Sequence, residues 1–99
     1  MAIEEQLRRL VQAGFEPVPV AFPKHVALAR NGFVSMIERR EDRLGRAGAP
    51  GIVTDRGFAP LIWRGELAFF VAKDHEQQAT EQQVNGLRQF LADLEAALA

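Results

Sequence analysis

The chain has 99 residues, of which 47% are apolar and 25% charged, with a formal net charge of −1. This is the composition of a folded domain with its own core rather than of a disordered segment. The near-neutral balance gives no support to a nucleic-acid or membrane-surface role, and the absence of cysteine excludes a disulfide scaffold, a thiolate metal site and a cysteine nucleophile.

The opening MAIEEQLRRL carries acids and arginines where a signal peptide needs an apolar run. No stretch approaches the roughly 18 apolar residues of a membrane span. A soluble, cytoplasmic protein is expected, and ten arginines against two lysines hint at a GC-rich bacterial genome.

In chain order, Ile3, Leu7, Leu10 and Val11 recur at helical spacing and form one apolar stripe. Gly14 should end that helix in the left-handed conformation, with Phe15 folding back on Leu10. The segment EPVPVAF alternates but holds Pro17 and Pro19, so it reads as an edge strand or an extended connector. Over 25–39, Asn31-Gly32 between two β-prone runs predicts a hairpin with a type I′ turn. REDRLGRAGAPG at 40–51 reads as the one long loop, with a helical turn over 39–44 as the alternative. IVT and FAPLIW flank Asp55-Arg56-Gly57, which suits a three-residue turn; FAPLIW and ELAFFVA flank Arg64-Gly65, a weaker two-residue turn.

Near the C-terminus, Thr80 and Gln83 have the spacing of a capping box. Val84, Leu87, Leu91, Leu94 and Leu98, broadened by Phe90, then make a helical stripe. The expected fold is α+β: an N-terminal helix, an antiparallel meander of five to six short strands and a C-terminal helix, with both helices on one face of the sheet. The order is similar in layout to profilin-like domains and to the dimeric chaperones of bacterial secretion systems, although no motif carries residues over, and layout does not fix function.

Both faces of the meander are apolar. Phe58, Pro60, Ile62, Leu67, Phe69 and Val71 fall on one side of the 58–72 hairpin, and Ala59, Leu61, Trp63, Ala68, Phe70 and Ala72 on the other. A sheet with one face in water should alternate apolar with polar. Three arrangements would cover the second face: a sheet curled on itself, a pocket for an apolar ligand, or a second copy of the chain. The second copy is the leading expectation, with Met36, Leu61, Trp63, Ala68 and Phe70 as the candidate interface, because aromatic residues and methionine are enriched at interface cores.

Chemistry is sparse. His25 and His75 lack the spacing of metal ligands, Asp74-His75-Glu76 reads as a solvated loop, and Ser35 has no nucleophile-elbow context. No catalytic constellation, metal site or cofactor is expected. Arg40, Arg43 and Arg46, with Arg56, lie among Gly45, Gly48 and Gly51 and form a candidate anion site; Glu38, Glu41, Asp42 and Asp55 offset much of that charge. Residues 24–73 carry net +4 and residues 74–99 net −4, an asymmetry that serves either association or the packing of the last helix on the sheet. The expected function is a non-catalytic interaction or regulatory module acting as a homodimer through an apolar sheet face. The alternative is a small-ligand-binding domain with an apolar pocket and the 40–51 segment as its lid.

Overall fold

A computed structural model describes residues 3–18, 24–55, 57–73 and 75–99. Helix α1 (Ile3–Gln12) leads into strands β1 (Glu16–Val18), β2 (His25–Arg30), β3 (Phe33–Arg39), β4 (Leu44–Thr54), β5 (Gly57–Arg64), β6 (Leu67–Ala72) and β7 (His75–Gln78), and α2 (Glu81–Leu98) closes the order. The strands form one antiparallel meander in sequence order. The architecture is the expected α+β layout with seven strands rather than five or six. The added strand is β7, where a loop was expected. The part of EPVPVAF beyond Val18 lies outside the described residues, as do Arg56 and Asp74.

The helix ends form as the sequence dictates. Gly14 has φ of 91°; its N–H bonds the Val11 carbonyl at 3.0 Å, and the Phe15 N–H bonds the Leu10 carbonyl at 3.0 Å. That pair of bonds is a Schellman cap, and it drops Phe15 into the core beside Leu10. At α2, Thr80 and Gln83 complete the capping box: the Gln83 N–H donates to Thr80 Oγ1 at 3.1 Å and the Thr80 N–H to Gln83 Oε1 at 2.9 Å.

The turns also follow sequence chemistry, with one correction. Asn31 and Gly32 both have positive φ, 54° and 85°, as a type I′ turn requires. In the β5–β6 hairpin, Arg64 pairs with Leu67 and Trp63 with Ala68, so the turn residues are Gly65 and Glu66 rather than Arg64 and Gly65. Gly65 has φ of 65° while Glu66 is absent from the positive-φ residues; a type II′ turn wants glycine first, and that sets the register. The slip changes each strand partner by two residues, so every side chain keeps the face the sequence assigned to it.

Residues 40–51 also depart from the expected loop. Only Arg40–Arg43 form a turn, closed by the Arg40 N–H on the Arg43 carbonyl at 2.9 Å; Leu44 onward is strand. It is neither one long loop nor a helical turn. Pairing runs Ser35 with Pro50, Ile37 with Ala47 and Arg39 with Leu44, so β4 spends three residues against each two of β3. Each surplus residue is a β-bulge, which bends and twists its strand. The glycines that resemble a loop serve close approach instead. A Cβ at Gly48 would lie 2.5 Å from the Met36 carbonyl oxygen, and one at Gly51 would overlap the Ala59 carbonyl.

The core lies between the helices and one sheet face. Leu28, Ile37, Ala59, Phe70 and Ala72 from the strands meet Leu10, Leu87, Phe90 and Leu94 from the helices. Phe90 receives the edges of Phe15 and Phe33, with centroids 5.3 Å and 6.1 Å away, each a favourable geometry for aromatic rings. Arg30, on the same face, lays its guanidinium 4.5 Å from the Phe15 ring centroid and pairs with Asp93 at 2.7 Å, tying β2 to α2.

Candidate functional site

Three features outside the core have the character of a surface that meets something: an apolar sheet face, an apolar groove and an arginine-lined cleft.

The first is the sheet face opposite the helices. Strand alternation places Phe58, Pro60, Ile62, Leu67, Phe69 and Val71 there, with Val53 beside Phe58. Val53 is 61% exposed, Leu67 50% and Ile62 40%. Towards β2 and β3 this face closes, since Ala27 and Val34 are buried. The open part is therefore the outer side of the β5–β6 hairpin with the end of β4. Arg64 stands at its edge, over the Phe69 ring at 5.3 Å and paired with Glu76. That hydrogen bond holds the Glu76 carboxyl below its ordinary range and raises the Arg64 guanidinium.

The candidate interface does not assemble as one patch. Leu61, Trp63, Ala68 and Phe70 share the helix-covered face, with Phe70 and Ala68 buried, whereas Met36 lies on the opposite face beside Ala27. The alternation divided the residues correctly, but the helices cover the side assigned to the partner.

The second feature lies along α2, where Pro50, Leu61, Trp63, Val84, Leu87 and Leu91 line a groove of about 250 Å³. Arg88 sits 5.9 Å from the Trp63 ring centroid, and Trp63 remains 49% exposed.

The third is a cleft of about 730 Å³ between the β3–β4 turn and the last turn of α2. It gathers Arg40, Arg43 and Arg46, three of the four candidate anion-binding arginines, with Glu95 opposite and Leu44 and Leu98 behind; Arg56 lies outside the described residues. Gln6, which sequence reading left unremarked, fixes this region. It is buried on α1, accepts the Leu44 N–H on Oε1 at 2.8 Å and donates from Nε2 to the Leu98 carbonyl at 3.2 Å.

The remaining candidates are plain. Ser35 is buried and donates to the Gly48 carbonyl at 3.1 Å; His25 and His75 are exposed at strand starts. Among the described residues, no three histidine or carboxylate side chains converge as a metal site, and no helix is long and apolar enough to cross a membrane. No family model matches the chain, no curated protein matches its sequence, and no solved structure matches it.

Proposed function

We propose that this chain acts by association rather than by catalysis, as an interaction or regulatory module that pairs with a second copy through the outer face of its β5–β6 hairpin. The observation that carries the reading is the apolar run of Val53, Phe58, Ile62, Leu67 and Phe69 on a face that neither helix covers. Half-exposed aliphatic side chains grouped on one surface mark association sites rather than ordinary solvent-facing sheet.

A like copy suits this face because its rim is self-complementary. Arg64 and Glu76 stand side by side at the edge, so a twofold axis passing between them would set each arginine near the partner's glutamate. A closed dimer needs one patch that matches itself in this way. Packing two such hairpins face to face would give a sandwich core about 10 Å thick, the ordinary spacing of stacked sheets.

Sedimentation of the wild type against Ile62→Asp tests the reading. The exposed position tolerates the charge within one copy, so the variant should stay folded and sediment as a monomer where the wild type does not. Identical sedimentation of both proteins would refute it. The apolar groove under Trp63 favours a second reading, a small-ligand site; in that case Trp63→Ala abolishes ligand protection against thermal unfolding while the mass is unchanged.

A further inference from the structure

We propose that the cleft between the β3–β4 turn and the end of α2 binds a multiply charged organic anion, a phosphate ester or diphosphate of a small molecule. The cleft holds arginines whose side-chain donors are unspent. Arg30 and Arg64 are engaged by Asp93 and Glu76, and Arg9 donates to the Ala99 carbonyl at 2.8 Å. Among the described residues, by contrast, none of the Arg40, Arg43 and Arg46 guanidinium groups is held by an ion pair or a side-chain hydrogen bond. Each guanidinium carries five N–H donors in a planar fork that matches phosphate oxygens.

The backbone brings these groups together. In a regular strand, residues three apart face opposite sides. The bulges in β4 break that rule: Leu44 and Ala47 both turn towards the helices, and Arg43 and Arg46 line the same cleft. Arg40 reaches back across the turn and lies over Gly45, where a Cβ would come within 3.5 Å of its Nε. Bulges that re-aim side chains in this way are common beside binding sites.

The helix end that meets the cleft is already neutralised. The last carbonyls of a helix carry partial negative charge that would repel an anion. Here Arg9 takes the Ala99 carbonyl at 2.8 Å and the Ala96 carbonyl at 3.5 Å, and Gln6 takes that of Leu98 at 3.2 Å. Among the lining side chains, three arginines against one carboxylate, Glu95, leave an excess of two positive charges, which suits a dianion. Leu44 and Leu98 add an apolar wall, and about 730 Å³ is far more than a bare phosphate fills but ordinary for a small organic ligand.

Titration calorimetry at low ionic strength, with glycerol 3-phosphate, pyrophosphate and inorganic phosphate as probes, tests the proposal. Glycerol 3-phosphate and pyrophosphate should bind with a stoichiometry of one per chain, more tightly than inorganic phosphate and less tightly as salt is added. Arg43→Ala and Arg46→Ala should each weaken binding about tenfold, the worth of a charge-assisted hydrogen bond. Glu95→Gln should tighten it, a gain that misfolding cannot imitate, and Arg8→Ala, an exposed arginine on α1 away from the cleft, should change nothing. No saturable binding of any probe, or binding indifferent to both arginine substitutions, would overturn the site. Equal affinity for inorganic phosphate and the ester would overturn its organic ligand.

Discussion

The Leu44 backbone N–H donates to the Gln6 side-chain oxygen at 2.8 Å, across 38 residues of chain, and both groups are buried. The other end of the same amide reaches the Leu98 carbonyl at 3.2 Å. One glutamine thus holds the start of β4 and the end of α2 to α1, filling the backbone needs of a strand beginning and a helix ending at once. Leu44 and Leu98 also form the back of the arginine cleft, so the clip is structural support for it.

Gln6→Ala should therefore cost more than its volume suggests. It leaves a buried N–H without a partner, worth about 2 kcal/mol, which in a domain of this size lowers Tm by about 10 °C. A thermal melt followed by circular dichroism reads this directly. A fall no larger than that of an exposed control such as Gln12→Ala would mean the clip carries nothing.

The glycines of β4 should differ sharply from one another. Gly51→Ala pushes a methyl group into the Ala59 carbonyl of the neighbouring strand, and overpacking against fixed backbone costs about 3 kcal/mol. At Gly45 the nearest atom is 3.4 Å from the added methyl, so Gly45→Ala should be close to neutral. Urea midpoints of the two variants check the contrast, and equal midpoints would count against the bulged strand.

Acid should loosen the seam between β2 and α2. The Arg30 guanidinium, followed by the Gln89 amide, holds the Asp93 carboxyl below its ordinary range. A carboxyl depressed in the folded state adds stability above its unfolded value, about pH 4, and loses it as pH falls through the folded value. Asp93→Asn should narrow the difference between urea midpoints measured near neutral pH and those measured in acid. An unchanged difference would mean that the pair contributes nothing to acid sensitivity.

The two faces of the β5–β6 hairpin should respond oppositely to charge. Phe70 is 1% exposed beneath α2 whereas Ile62 is 40% exposed. Phe70→Asp should unfold the chain, because an unpaired charge would be buried in the core. Ile62→Asp should keep the far-UV spectrum. If both variants unfold, the outer face is internal and no partner is needed to explain it.

Local chemistry was legible in the sequence wherever a residue type admits few conformations. Gly14, Asn31-Gly32 and the Thr80–Gln83 box each specify one backbone geometry, and each adopts it. The division of Phe58–Ala72 into two faces was legible too, because strand alternation survives a register slip of two. What could not be read was which face the helices choose, since both are apolar and the choice depends on packing between distant elements. The 40–51 segment misled because glycine and proline mark loops and bulges alike, and only pairing with β3 and β5 separates the two. Arg40, Arg43 and Arg46 were visible as a charge cluster, but their convergence depends on those bulges. Gln6 carried no signal at all: its partners are backbone groups far along the chain, and a lone glutamine on an amphipathic helix looks like any solvated one.

The measurement that bears most directly on the proposed association is the solution mass of the purified wild-type chain, by light scattering across a range of concentrations. Pairing through the outer hairpin face predicts a mass near 22 kDa, twice the 11.0 kDa of one copy, falling to the single-copy value in Ile62→Asp. A mass of 11.0 kDa at every concentration would contradict the dimer and leave the open face of β5 and β6 without its proposed partner.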